Sequence, residues 1–291
     1  MTAASKRSAA DLVRETAARF VATGLYFGHG TDNAEDEALF LVLHALGWPY
    51  SVDDADMHEG LAPAQLEAVA RLVDARISSR QPAAYLTGRM WFAGHEFLVD
   101  QRVLVPRSPL AELIRDRCQP WLGARQLRRV LDIGTGSGCI ALALALAFDD
   151  VAVDATDLSR PALEVAARNV ALHGLESRVR LHEADLFPPA GGPYDLIISN
   201  PPYVPLASWS KLPPEYLAEP REALVADDEG LACVARILAE AGRWLAPDGL
   251  LIVEVGEIWP EVAARYPHLP FTWLEFAQGG EGVFVLERHE L

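Results

Sequence analysis

The chain has 291 residues, 51% of them apolar and 23% charged, and a formal charge of −16. That length suffices for one large domain or a catalytic domain with a smaller companion, and that apolar content excludes a disordered or fibrous chain. The longest apolar runs, such as Ile140 to Phe148, reach only about half of a membrane span, and no apolar stretch follows Lys6 and Arg7 as a signal peptide would require.

The first elements predicted are helices. Apolar residues recur at helical spacing from Ser8 to Leu25, at Leu12, Val13, Ala17, Phe20 and Val21, with Gly24 as a stop. A second helix is expected over Ala34 to Leu46, after Thr31-Asp32-Asn33 and before Gly47-Trp48-Pro49. A third follows Ala62-Pro63 and runs to Ile77, with proline at a first-turn position. Residues 1–83 therefore read as a helical domain. Residues 84–105 change character: Tyr85-Leu86-Thr87, Trp91-Phe92, Phe97-Leu98-Val99 and Val103-Leu104-Val105 are β-rich, with Gly94 as a turn, so a β-hairpin linker is expected.

From residue 106 to 291 strands and helices alternate. Strands are predicted over Arg129–Ile133, Val151–Asp157, Val179–Glu183, Tyr194–Ser199, Gly249–Val255 and Gly282–Leu286. Helices are predicted over Cys139–Ala147, Pro161–His173, Glu229–Leu245 and Trp259–Tyr266. Parallel strands need such crossovers, so the fold class is α/β, a doubly wound Rossmann-like domain behind an N-terminal helical domain. Phe271 to Phe276 and Gly282 to Leu286 read as a terminal hairpin that adds an antiparallel strand at the sheet edge.

The first chemical signal is a strand, Val130 to Ile133, running into Gly134-Thr135-Gly136-Ser137-Gly138. Glycines let a backbone approach a ligand closely and adopt positive φ. Asp132, two residues before the first glycine, is unwelcome beside a pyrophosphate but suits a cation, such as the sulfonium and ammonium of S-adenosyl-L-methionine. Asp157 ends the next predicted strand, where an acid can hydrogen-bond both ribose hydroxyls. Asp185 follows the third strand, at a position suited to the adenine edge. Each feature alone also fits an ordinary turn or strand end; together with the topology they predict a cofactor site.

The sharpest signal is Asn200-Pro201-Pro202-Tyr203, directly after the apolar strand Leu196–Ser199. The carboxyl end of a strand beside the cofactor loop is where doubly wound domains bind ligands. A planar amino group is a poor nucleophile because its lone pair is delocalised. Asn200 can accept one of its N–H groups through the side-chain oxygen, and the backbone of Asn200 or Pro201 can accept the other. The prolines stiffen the turn, Tyr203 can cover a planar group by stacking, and Asn200 also offers an edge contact to the cofactor. These contacts would ready the nitrogen to attack the sulfonium methyl, a transfer that needs no metal. Cys118, Cys139 and Cys233 fit neither a disulfide framework nor paired metal-ligand spacing, so a reduced, cytoplasmic protein is expected.

With these motifs, essentially the whole chain resembles the bacterial protein-(glutamine-N(5)) methyltransferases. The resemblance covers Val105-Pro106-Arg107-Ser108-Pro109 with Glu112, Asp132 to Gly138, Asp157, and Asn200 to Tyr203. It implies methionyl-tail contacts at Gly134 to Gly138, ribose contacts at Asp157 and the target glutamine at Asn200 to Tyr203. Ser108 where release-factor enzymes typically carry proline, the segment Tyr26 to Asn33, and Phe271 to Phe276 look like the branch that modifies a large-subunit ribosomal protein. The alternatives are glutamine methylation of release factors and a non-catalytic RNA-binding assembly factor. Residues 1–120 carry 12 basic and 16 acidic side chains, and residues 121–291 carry 13 and 25, so net charge falls from −4 to −12. Such acidity repels phosphates and favours a basic protein partner, with no membrane and no direct nucleic acid required. Cys139, at a helix start, could have a lowered pKa, though packing is its favoured role. Arg107 with Glu112 is expected as a structural ion pair, His29 as a possible partner contact, and oligomeric state is left open.

Overall fold

Local capping sets the helices of the N-terminal part. Ser8 accepts a hydrogen bond from Asp11 N at 3.2 Å while the Asp11 carboxylate accepts one from Ser8 N at 3.0 Å, a reciprocal box that opens α1 (Ala9–Ala22). Asn33 caps α2 (Ala34–Leu46), which ends on Gly47 at φ +68°. A single turn α3 (Asp54–Met57), then α4 (Pro63–Ser79) and α5 (Ala83–Thr87) follow. The computed structural model describes residues 7–291; Lys6 lies outside the described residues.

By their contacts, these helices form one unit, made of the chain through Arg89 together with Pro213–Ala218. Its core joins Phe20, Phe40, Leu41, Val69 and Val73 from α1, α2 and α4. Arg76 on α4 is fully buried; its Nε donates to Glu37 at 2.7 Å and its Nη1 lies 3.7 Å from Glu215. Glu215 also accepts hydrogen bonds from Tyr26 N at 3.2 Å and Arg80 Nη1 at 3.1 Å.

Tyr85-Leu86-Thr87 belong to α5 rather than to a strand, which corrects the sequence reading. Pro82 precedes that helix, Gly88 at φ +69° ends it, and Thr87 Oγ1 is satisfied by Ala83 O at 3.0 Å. In five residues, a proline before the helix and a left-handed glycine cap after it outweigh β-propensity. The hairpin itself is short: β1 (Arg89–Phe92) and β2 (His95–Leu98) turn through Ala93 and Gly94, both at positive φ. Val103 to Val105 form no ladder either, because Val105 N donates to the buried Glu219 carboxylate at 2.9 Å.

The second unit comprises Met90–Leu212 and Glu219–Leu291. After the short α6 (Leu110–Arg115), which the sequence reading did not anticipate, come β3 (Arg129–Ile133), α7 (Cys139–Ala147), β4 (Ala152–Asp157), α8 (Arg160–Leu172), β5 (Val179–Glu183) and β6 (Tyr194–Ser199). The stretch to residue 226 holds the small pieces β7 (Val204–Pro205), α9 (Leu206–Trp209) and β8 (Val225–Ala226), also unanticipated. Then follow α10 (Ala232–Trp244), β9 (Leu245–Glu254), α11 (Trp259–Arg265), β10 (Thr272–Trp273) and β11 (Val283–Glu287).

Seven strands form one sheet in the order β10-β11-β9-β6-β3-β4-β5, parallel from β9 to β5 and antiparallel where β11 meets β9 and β10. Alternation along each strand divides the core between two faces. Val130, Val153, Leu196 and Ile252 face the wholly apolar α7, whereas Leu131, Ile133, Ile197 and Val253 face α10 and α11. The doubly wound α/β expectation holds. Among the described residues, no helix is long and apolar enough to cross a membrane.

Candidate active site

The glycine loop between β3 and α7 is shaped by its surroundings before any ligand is considered. Gly134, Gly136 and Gly138 have φ of +72°, +55° and +83°. Gly134 N and Thr135 N both donate to Thr156 O at 2.9 Å, which folds the loop over the end of β4. A Cβ on Gly138 would lie 2.8 Å from Leu142, so that glycine permits helix packing. At Gly134 and Gly136 a Cβ would meet nothing within 4 Å, and both residues line a cavity of about 640 Å³. Thr135 and Ser137 line the same cavity.

Asp157 stands at the end of β4 on the cavity wall. Its Oδ2 accepts from Gly136 N and its Oδ1 from Ser159 N, each at 2.8 Å. Burial pushes its pKa up, and these amide donors pull it back. The carboxylate is therefore held rigidly, with lone pairs left for further donors. Asp185 also lines the cavity, but its carboxylate forks onto Arg236 at 2.9 and 3.0 Å. Beside it, Leu186 is at φ +69° and its carbonyl accepts from Thr156 Oγ1 at 2.6 Å.

Asp132 differs from the sequence expectation. It is fully buried and is not among the residues lining the cavity. One oxygen accepts from Thr135 Oγ1 at 2.6 Å and Ala141 N at 3.1 Å, so it ties the glycine loop to the first turns of α7. The other oxygen has no hydrogen-bond partner among the described residues, and burial pushes the pKa up to about 7. Cys139 has the packing role favoured for it: it is buried in the core against α7's neighbours, and burial pushes its thiol up to about 12 rather than down.

The Asn200–Tyr203 turn leaves β6 beside this loop, β6 being paired with β3 through Ser199 and Ile133. Ser199 Oγ donates to Ile133 O at 2.8 Å and fixes the two strand ends together. Asn200 and Pro202 line the cavity; Pro201 and Tyr203 do not. No other described residue takes a hydrogen bond from, or gives one to, the Asn200 side chain, so its amide is uncommitted. Tyr203 is turned to the protein: its hydroxyl donates to Glu254 at 3.1 Å and its ring packs on Gly256. Glu254 also accepts a very short hydrogen bond from Ser108 Oγ; burial pushes its pKa up, and the two hydroxyls pull it back.

Two further expectations are corrected. Arg107 forks onto Glu219 at 2.7 and 2.8 Å, not onto Glu112, whose carboxylate instead accepts from Ala277 N and Gln278 N. His29 is buried, its ring centroid 4.5 Å from that of Tyr216, so it offers no surface to a partner. The terminal hairpin is present as expected: β10 pairs antiparallel with β11 and forms the sheet edge, and β11 lies between β10 and β9.

Comparison with known proteins narrows what such a cavity serves. Residues 120–227 match the family described as Methyltransferase small domain, and residues 13–88 match the PrmC N-terminal domain. The ribosomal protein uL3 glutamine methyltransferase of Bordetella pertussis is 45% identical over 97% of this chain and 95% of its own. The enzymes of that name from Neisseria meningitidis serogroup B and Burkholderia pseudomallei are 45% and 44% identical, over 97% of this chain and 93% and 94% of theirs. The chain belongs to the uL3 glutamine methyltransferase family. Its fold is that of the hMettl16 catalytic domain, with TM-score 0.51 and 18% identity over 84% of this chain and 88% of that one.

The methyl donor of this methyltransferase family is S-adenosyl-L-methionine. The residues present fit it: two glycines open onto the cavity and a fixed carboxylate stands at the end of β4. Several supporting side chains were invisible in the sequence. Asn169 on α8 is buried and bonds Leu98 N, Leu98 O and Ser137 O at 2.7, 2.9 and 2.8 Å, holding β2 against the loop. Glu219 clasps Val105 and Arg107 from more than a hundred residues away. A buried asparagine inside an amphipathic helix was the one available hint.

Proposed function

We propose that this methyltransferase modifies the side-chain amide nitrogen of a glutamine in ribosomal protein uL3, in the cytoplasm. The observation that carries the reading is the uncommitted amide of Asn200 at the cavity wall, beside an open glycine loop. The relatives' names supply the substrate class. The −16 charge favours a basic partner.

When bound, S-adenosyl-L-methionine supplies an electrophilic sulfonium methyl. Gly134 to Gly138 cradle the methionyl end and Asp157 accepts from the ribose hydroxyls. Asp185 lies at the adenine side, its carboxylate shared with Arg236. Asn200 accepts one N–H of the target amide through its side-chain oxygen, and the carbonyl of Asn200 or Pro201 accepts the other. Both contacts draw electron density onto nitrogen and favour its rehybridisation. Pro201 and Pro202 keep the acceptors aimed. Once nitrogen is alkylated its proton is strongly acidic, so Asn200 with solvent suffices to pass it on. The helical region 1–83 recognises the protein around the glutamine, 84–105 connects it, and 106–291 carries the chemistry.

The test is incubation with labelled S-adenosyl-L-methionine and either purified uL3 or a peptide-chain release factor. Label on one uL3 glutamine is expected. Label on the release factor alone would assign the chain to the sister activity.

A further inference from the structure

Glu254 closes β9 with its side chain only 5% exposed, and the parts of the site converge on it. One oxygen accepts from Tyr203, the last residue of the Asn200–Tyr203 turn, and the other accepts from Ser108. Ser108 belongs to the segment 106–108, which forms one wall of the cavity. Arg107, the cation among the described residues that bears on Glu254, spends its guanidinium fork on Glu219. A carboxylate buried on hydroxyls alone is costly, and an apolar side chain of similar volume would fill the space at less cost.

Tyr203 is restrained at three points. Its hydroxyl is held by Glu254. A Cβ on Gly256 would come within 2.6 Å of its ring, and one on Gly230 within 2.2 Å of its carbonyl oxygen. Gly256 is in turn capped by Gly282, where a Cβ would lie 2.0 Å from Gly256 O. The Glu254 hydrogen bond and the close approach of Gly256 thus fix the ring, and Gly230 the backbone, of a tyrosine that does not itself line the cavity.

We propose that Glu254 is a positioning residue: through Tyr203 and Ser108 it locks the Asn200–Tyr203 turn to the 106–108 wall, so that Asn200 presents its acceptor in a single orientation. This rests on the reading of Asn200–Tyr203 as the target-amide site. Glu254 touches neither substrate nor cofactor in this role. Its contribution is to orientation, which appears in kcat more than in affinity.

The experiment measures kcat, KM for uL3, calorimetric affinity for S-adenosyl-L-methionine and Tm for the full-length protein, for Glu254→Gln, for Tyr203→Phe and for the two combined. Each single change is expected to lower kcat by about tenfold while KM and cofactor affinity stay within about threefold. The combined variant should be no slower than the slower single one, because both changes cut the same contact. Losses that multiply, an unchanged kcat, or cofactor affinity falling in step with kcat would overturn the role. If Glu254→Gln does not fold, Tyr203→Phe and Ser108→Ala each remove one hydroxyl, and normal turnover in both overturns it equally. Asn200→Ala is measured alongside. If that variant turns over normally the reading of the turn fails; if it is inactive while Glu254→Gln and Tyr203→Phe are normal, only the role of Glu254 fails.

Discussion

In the helical unit, Glu37 and Glu215 are buried against arginine: Arg76 bonds Glu37 at 2.7 Å, and Arg80 bonds Glu215 at 3.1 Å. In the methyltransferase unit, Asp132 and Glu254 are as deeply buried, yet hydroxyls and a backbone amide meet them instead of a bonded cation. Paired charges hold a shape, because their worth lies in mutual neutralisation. Carboxylates held by hydroxyls tie neighbouring groups in place, here the glycine loop and the Asn200–Tyr203 turn. The same residue type therefore does two different jobs, and its partners tell which.

The largest expected effect tests the paired side of that contrast. Arg76→Ala leaves Glu37 and Glu215 buried without their shared cation, so denaturant unfolding should show a loss of about 3–5 kcal/mol. A loss under about 1 kcal/mol, as for exposed pairs, would erase the distinction drawn between the units. Next comes the chemistry itself. Asn200→Ala should cost about 3 kcal/mol in the transition state while cofactor affinity stays within a few fold. Near-normal turnover would remove Asn200 from the proposed site.

Asp157→Ala should act on binding instead. Losing hydrogen bonds to a charged acceptor costs about 1.5–3 kcal/mol, and calorimetry should find that loss in cofactor affinity. The last effect is read as a slope rather than a single loss, and concerns Asp132. Its pKa of about 7 in the folded protein lies above the ordinary 3.8, so between these values the folded protein keeps a proton that the unfolded chain has released. Stability from this group is therefore greatest below pH 4 and declines as pH rises towards 7, by up to about 1.4 kcal/mol per pH unit. Asp132→Asn should flatten that part of the stability–pH curve; an unchanged slope would mean that Asp132 is ionised when folded.

The sequence disclosed the parts of this molecule that are local. Periodicity and caps placed α2 at Ala34–Leu46 and α7 at Cys139–Ala147, because Asn33 and Gly47 signal one and nine consecutive small or apolar residues make the other. Loop, strand-end acid and turn were legible as motifs for the same reason. What escaped was long-range or short. Asn169 reaches Leu98 across 71 residues and Glu219 reaches Arg107 across 112, and no spacing rule links such pairs. Glu112 was the nearer acid to Arg107, and the tertiary structure gave it to a backbone turn instead. At Tyr85 to Thr87, five residues between Pro82 and Gly88 were too few for periodicity to speak.

The placement of β11 bears on synthesis and quality control. This strand, Val283–Glu287, occupies an interior position of the sheet, yet it follows β9 and every parallel strand in chain order. Until it docks, β9 presents an unpaired apolar edge with Leu251, Ile252 and Val253 in a row. Exposed edges of that kind invite association with other chains. A product stopped before Val283 should therefore be captured by chaperones or proteases rather than persist as a weakened enzyme.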